Sequence, residues 1–116
     1  MDVEWQTHGD VVAVVLRGDV DAAGTPALRE QLDGPLAGGR QNFVIDLSEV
    51  GFIDSSGLAT VVQLFKRVRI GDGDVRLCGL QADVLRLFEL VRLDRVFGLF
   101  PDRAAALASF AVGDGS

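Results

Sequence analysis

The sequence contains a single cysteine, Cys78, and a single histidine, His8. One cysteine cannot form an internal disulfide, and a lone cysteine and histidine far apart in sequence do not predict a metal site. No apolar run approaches the roughly 20 residues of a membrane-spanning helix. Residues 1–5 lack the basic region and the apolar core of a signal peptide. We therefore expect a cytoplasmic protein with neither a membrane span nor a bound metal.

Positive charge is also scarce, with 11 basic residues against 17 acidic residues and a net charge of −6. The only tight basic cluster, Lys66, Arg67 and Arg69, is followed at once by Asp72 and Asp74. This balance argues against nucleic acid or an anionic membrane as a partner and favours a basic protein surface. Nucleotide-binding signatures are missing as well, because no glycine-rich loop ends in Gly-Lys-Ser/Thr and no Gly-x-Gly-x-x-Gly follows a strand.

The chain does contain apolar segments whose spacing alternates between that of strands and that of helices. Its 116 residues, 48% of them hydrophobic, predict one domain over 1–112 and a loose tail over 113–116. Predicted strands cover 3–6, 11–16, 43–47, 75–80 and 96–100. Predicted helices start at Thr25-Pro26 (ending at Gly38-Gly39), after Asp54-Ser55-Ser56, near Val84 and at Pro101-Asp102, the last one running through Phe110.

Strands that alternate with helices indicate an α/β domain with several parallel neighbours. In such sheets, ligands and partners contact the loops at the carboxyl ends of the strands. Residues 51–58, Gly-Phe-Ile-Asp-Ser-Ser-Gly-Leu, form a loop of that class just before a predicted helix. A helix N-terminus has unpaired N–H groups and a positive dipole end, so a phosphate is well placed there.

Ser55 and Ser56 could serve as helix caps, as a nucleophile or as a phosphorylation site. Capping is the commonest use of such residues, although Asp54, Ser55 and Ser56 place three cap-competent residues in a row. A serine hydrolase is a weak hypothesis, because Ile53 stands where the elbow motif requires a glycine. A triad also needs a histidine, and the only one, His8, lies in a predicted N-terminal turn.

Three other candidate sites have simpler structural explanations. Asp46 lies near a strand end, as in a phosphoaspartate receiver, but the sole lysine, Lys66, falls within a predicted helix and cannot complete that pocket. Asp19 and Asp21 could hold a cation, although a pair in a strand-ending turn is usually solvated. Cys78, on an alternating strand, is expected to be a small core residue.

Residues 43–58, Phe-Val-Ile-Asp-Leu-Ser-Glu-Val-Gly-Phe-Ile-Asp-Ser-Ser-Gly-Leu, closely resemble the sulfate transporter and anti-sigma factor antagonist (STAS) domain. They are most similar to the small stand-alone bacterial anti-sigma factor antagonists. Upstream, Leu-Arg-Gly-Asp-Val-Asp at 16–21 resembles the Gly-acid-aliphatic-Asp turn of the family. Downstream, 85–90 and 93–97 resemble its third helix and the strand that follows. The resemblance covers almost the whole chain, and Asp-Ser-Ser-Gly-Leu at 54–58 is its most specific part.

The resemblance implies an α/β STAS fold, a mixed central sheet of about four to five strands with four helices packed on one face. It implies no enzymatic activity and no cofactor. The implied partner is a kinase-type anti-sigma factor that uses its own ATP to phosphorylate the serine after the aspartate, here Ser55. The unphosphorylated form would bind this partner and free the sigma factor, as in a stress response, and a phosphatase would restore it. The implied contact residues are Asp19, Asp21, Asp54, Ser56, Gly57 and Leu58.

The same family leaves an alternative function open. STAS subunits also bind an ATPase or a permease in transport or lipid-trafficking complexes. In that case Ser55 would have no switching role.

Overall fold

The computed structural model describes residues 1–37 and 42–114. A short 3-10 turn at Leu93–Arg95 precedes the last strand. The strands and helices follow in the order β1 (Asp2–His8), β2 (Val11–Arg17), α1 (Thr25–Ala37), β3 (Asn42–Glu49), α2 (Ser55–Ile70), β4 (Asp74–Cys78), α3 (Ala82–Leu90), β5 (Gly98–Phe100) and α4 (Arg103–Asp114).

The five strands form one mixed sheet in the order β1-β2-β3-β4-β5. β1 pairs antiparallel with β2 through a two-residue turn, in which Gly9 has a φ of +62° that favours glycine. The other three pairs are parallel, so each of their connections crosses back through a helix. This arrangement confirms the predicted mixed α/β sheet with four helices.

The helices lie on both faces of the sheet, not on one face as the resemblance implied. Val12, Val14 and Leu16 of β2 pack in the main core with residues of α1, α2 and α3. Val11, on the opposite face, belongs to a second cluster with Ala106 of α4. Every β2 residue from Val11 to Leu16 is buried, and a strand that is apolar on both faces needs cover on both. α4 provides the second cover.

Asp46 on β3 anchors the start of α4. Its carboxylate accepts hydrogen bonds from the Ser48 backbone N–H at 2.9 Å and from Arg103 Nε at 3.2 Å. Burial alone would raise the pKa of Asp46, but the bonds from Ser48 and Arg103 outweigh it and hold that pKa below the ordinary value. Asp46 is only 6% exposed, so the pair fixes α4 against the carboxyl end of β3.

Several element boundaries differ from the predictions. β1 is longer than 3–6, β4 ends at Cys78 and not at residue 80, and the 3-10 turn delays β5 until Gly98. α4 spans Arg103–Asp114, and the loose tail expected over 113–116 stays a prediction. The predicted end of α1 at Gly38-Gly39 and the last two residues lie outside the described residues. No helix within the described ranges is both long and apolar enough to span a membrane.

Candidate functional site

Two loops meet at the carboxyl ends of β2 and β3. The Val20 N–H donates to the Phe52 carbonyl at 2.9 Å, and the Asp54 N–H donates to the Val20 carbonyl at 3.1 Å. Val20 and Ile53 thereby form an isolated parallel bridge beyond the ends of the two strands. The loop after β2 and the loop that leads to α2 are therefore held as one unit, here called the paired loops (residues 18–24 and 50–54).

Asp54 uses its carboxylate to join the two loops and to start α2. One oxygen accepts the Gly57 N–H at 2.9 Å, which is the bond of an N-cap residue, and Asp54 has the extended backbone typical of that position. The other oxygen accepts the Ala22 N–H at 3.2 Å from the neighbouring loop. Asp54 therefore serves as the cap, and neither serine has to.

Ser55 is the first residue of α2, and its side chain is exposed. Among the described residues, no hydrogen bond involves its hydroxyl. The first intrahelical bond is made by the Leu58 N–H to the Asp54 carbonyl, at 2.9 Å. The N–H groups of Ser55 and Ser56 precede it and point out of the helix start, so a charged group on Ser55 would lie beside free donors.

Ser56, Gly57 and Leu58 differ from Ser55 in exposure. Ser56 is half-buried, and its carbonyl accepts the Thr60 hydroxyl at 3.0 Å. Leu58 is half-buried against the main core. Gly57 is buried, so little of its surface is accessible to a partner. Its lack of a Cβ serves packing, because a Cβ there would lie 2.8 Å from Val20 Cγ1 and would collide with the Val20 backbone oxygen.

The two aspartates of the first loop also have different roles. Asp19 is exposed and makes no hydrogen bond through its side chain among the described residues. Asp21 is half-buried, and its carboxylate accepts the Gly24 N–H at 3.0 Å in the turn that opens α1. Because Val20 lies between them and pairs with Phe52 and Asp54, both carboxylates lie on the loop adjacent to Ser55.

Arg17, the basic residue that ends β2, does not offset the negative charge of these two aspartates. Its guanidinium contacts Glu4 at 3.2 Å and Glu49 at 2.9 Å. Hydrogen bonds to Glu4 and Glu49 raise the pKa of Arg17 above its ordinary value. Two carboxylates therefore share this one cation, and the surface around the paired loops stays negative.

Phe52 lies in the second of the paired loops, and no sequence pattern predicted a function for it. It is 51% exposed, whereas Phe43, Phe88 and Phe97 of the main core are buried. The available signal was an aromatic side chain between glycine and isoleucine in a loop, outside the helical and strand periodicities. That signal does not show on which side of the loop the ring lies.

The competing hypotheses fail on position. His8 ends β1 opposite Val11, at the end of β2 farthest from Ser55. A seven-residue strand is roughly 20 Å long, so the two cannot form a catalytic pair. Lys66 lies in α2, and Asp46 is bound to Arg103 on the face covered by α4, so a receiver pocket is absent from the described part of the chain. Cys78 is a buried core residue, as predicted.

The chain is similar in sequence to known STAS domain proteins. The STAS domain family matches residues 2–106. The anti-sigma-B factor antagonist of Bacillus subtilis is 30% identical over 99 residues, which cover 85% of this chain and 90% of that protein. It is named as the antagonist of an anti-sigma factor and not for a catalysed reaction.

Solved structures agree with the fold. An anti-sigma factor antagonist from Mycobacterium paratuberculosis superposes with a TM-score of 0.85 at 26% identity, over 93% of this chain and 92% of that one. The Bacillus cell fate determinant SpoIIAA, solved in its phosphorylated form, has a TM-score of 0.76 over 94% of this chain and 99% of that one. At 15% identity this second likeness shows the fold alone. With its family match over residues 2–106 and this agreement in fold, the chain belongs to the STAS domain family.

Proposed function

We propose that this protein is an anti-sigma factor antagonist whose binding is switched by phosphorylation of Ser55. Unphosphorylated, it binds a serine-kinase anti-sigma factor and so frees the sigma factor. The kinase supplies ATP and transfers one phosphoryl group to Ser55, after which binding ends. A phosphatase restores the free hydroxyl. Because the phosphate comes from ATP, we place this exchange in the cytoplasm.

The observation that supports the proposal is that Asp54, and not Ser55, caps α2. Asp54 caps α2 and joins the loops, which leaves the Ser55 hydroxyl exposed at the helix start. A phosphate adds about −1.5 to −2 charges at pH 7. The helix dipole and the free N–H groups of the first turn offset that charge, so the fold tolerates it.

A partner surface that covers the paired loops would not tolerate the same charge. Asp19 and Asp21 already make the surface negative, and Arg17 is bound to two glutamates. A docked partner would desolvate the phosphate among these carboxylates, which is costly unless the partner supplies new cations. The proposed contact surface consists of Asp19, Asp21, Asp54, Ser56 and Leu58, with Gly57 setting the distance between the loops.

The direct test is phosphoryl transfer. The chain is incubated with its cognate anti-sigma kinase and ATP and then weighed by mass spectrometry. We expect one added phosphate on the wild type and none on Ser55→Ala, with Ser56→Ala as the matched control that keeps the phosphate. A phosphate on Ser55→Ala, or none on the wild type, would overturn the assignment.

The Ser55→Asp variant separates this function from a transport role. We expect it to weaken binding to the anti-sigma factor while the Tm stays within about 2 °C of wild type, because the position is exposed. A STAS subunit of a transport or lipid-trafficking complex would keep its ATPase or permease partner regardless of charge at Ser55. Unchanged binding by Ser55→Asp would therefore favour that alternative.

A further inference from the structure

Phe52 projects a large apolar ring into solvent beside the phosphorylation loop. The ring is 51% exposed, whereas the aromatic residues Phe43, Phe88 and Phe97 are buried in the core. It lies three positions before Ser55. Burying such a ring in a partner removes far more apolar surface than burying any other side chain of the paired loops.

The backbone of Phe52 is held in place before any partner arrives. Its carbonyl accepts the Val20 N–H at 2.9 Å, and two residues later the Asp54 N–H is bound to the Val20 carbonyl at 3.1 Å. The Asp54 carboxylate adds a bond to Ala22 at 3.2 Å. Little backbone entropy is therefore lost on binding, a condition shared by the residues that dominate interface energies.

A shallow cleft of about 200 Å³ adjoins the ring on the side of α3. Its walls are apolar except for one carboxylate, Asp83, which lies in the first turn of α3. The cleft thus combines an apolar floor with a single negative charge at its edge. The residues that line it are Gly51, Phe52, Ile53, Asp83, Val84 and Leu87.

We propose that Phe52 and this cleft form the energetic centre of the contact with the anti-sigma factor, which extends from the paired loops to the start of α3. The occupant is a segment of that partner with an apolar side chain against Phe52 and a basic side chain next to Asp83. Charge complementarity and continuity with the acidic loops both favour such a segment. The inference rests on the proposed function and adds where most of the affinity arises.

Ser55 and Phe52 have different roles in this proposed contact. Ser55 would decide whether the partner binds, and Phe52 would decide how tightly. Since the kinase has to dock before it transfers phosphate, loss of the ring should also slow phosphorylation without removing the acceptor.

The test compares Phe52→Ala with Leu90→Ala, because Leu90 is 77% exposed at the other end of α3. Affinity for the cognate anti-sigma factor is measured by calorimetry. We expect Phe52→Ala to bind about 30-fold more weakly, as an interface hot spot does, and to be phosphorylated more slowly. Leu90→Ala should bind within about twofold of wild type, and both variants should keep the wild-type Tm within about 2 °C.

Asp83→Lys and Asp94→Lys form a second matched pair, since both aspartates are exposed and only Asp83 lines the cleft. We expect Asp83→Lys to weaken binding by about tenfold and to flatten its salt dependence, with little change for Asp94→Lys.

The possible failures are distinguishable. If the wild type binds and Ser55 phosphorylation ends binding, yet Phe52→Ala stays within threefold of wild type, this inference alone is wrong. If the wild type does not bind its cognate anti-sigma factor, the proposed function and this inference both fall. Self-association of the chain that Phe52→Ala abolishes would assign the ring to a second copy and would also overturn the inference.

Discussion

The variant Gly57→Ala tests the close approach of the paired loops to the start of α2. Helix propensity and tertiary packing predict opposite changes in the free energy of unfolding for this variant. By propensity alone, alanine in place of glycine stabilises a helix by up to about 1 kcal/mol. Here the added Cβ would lie 2.7 Å from Ile53 Cγ1 and 2.8 Å from Val20 Cγ1, and would collide with the Val20 backbone oxygen. That oxygen accepts the Asp54 N–H, so relief of the collision stretches a bond between the loops.

The magnitude follows from these contacts. Overpacking of a filled site costs about 1–3 kcal/mol, and a weakened backbone hydrogen bond costs about 1 kcal/mol. After the propensity gain of up to about 1 kcal/mol is subtracted, Gly57→Ala should lower the free energy of unfolding by about 1–3 kcal/mol. For a domain near 100 residues this corresponds to a Tm lowered by roughly 4–12 °C.

Thermal unfolding followed by circular dichroism measures the Tm of Gly57→Ala and of the control Gly34→Ala against that of the wild type. Gly34 lies within α1 directly before Pro35, and from the rest of the fold a Cβ there would meet Trp5 Cζ2 at an ordinary 3.8 Å. The propensity gain of Gly34→Ala, up to about 1 kcal/mol, is opposed by Pro35, which disfavours the helical conformation for a preceding residue that has a Cβ. The Tm of Gly34→Ala should therefore stay within about 4 °C of wild type. If Gly57→Ala raises the Tm, the close approach of Val20 to the start of α2 is refuted.

Two further predictions concern the face covered by α4. Asp46→Asn should destabilise the protein by about 1–3 kcal/mol at neutral pH, because Arg103 loses its carboxylate partner. The lowered pKa of Asp46 gives stability that is present above the ordinary value of 3.8 and is lost as the pH falls through the lowered value, so the deficit should shrink in acid. Urea titrations across pH measure it, and a pH-independent deficit would contradict the ion pair. Burial raises the pKa of Cys78 to about 12, so the native thiol should resist iodoacetamide at pH 8 and react once unfolded; equal rates would contradict its burial.

The sequence predicted the parts of the fold that depend on local pattern. The continuous apolar run at Val11 to Leu16 and the helical spacing after Asp54 both became elements close to the expected positions. The same run also implied that β2 is buried on both faces, which is incompatible with all helices on one side. α4 resolves that conflict, and its anchor joins Asp46 to Arg103 across 57 positions, a separation at which no local pattern pairs two residues.

The sequence predicted which residues form the site but not which role each of them has. Three cap-competent residues in a row indicated that one hydroxyl was spare, but only the bonds from Gly57 and Ala22 to Asp54 identify which residue caps. Gly57, which the resemblance places among the contact residues, is buried against Val20, and no local pattern indicates that packing. The bond from Ala22 to Asp54 and the packing of Gly57 against Val20 join segments more than thirty positions apart, so they depend on how the two loops pair in the folded chain.

The central claim is that one phosphate on Ser55 ends binding to the anti-sigma factor without disturbing the fold. Calorimetry with the cognate anti-sigma factor, using the chain before and after stoichiometric phosphorylation of Ser55, tests it most directly. We predict a Kd raised by at least about 100-fold, equivalent to about 2.7 kcal/mol, with the Tm of the phosphorylated chain within about 2 °C of the unmodified one. A Kd that changes by less than threefold, or a phosphorylated chain that unfolds, would contradict the account.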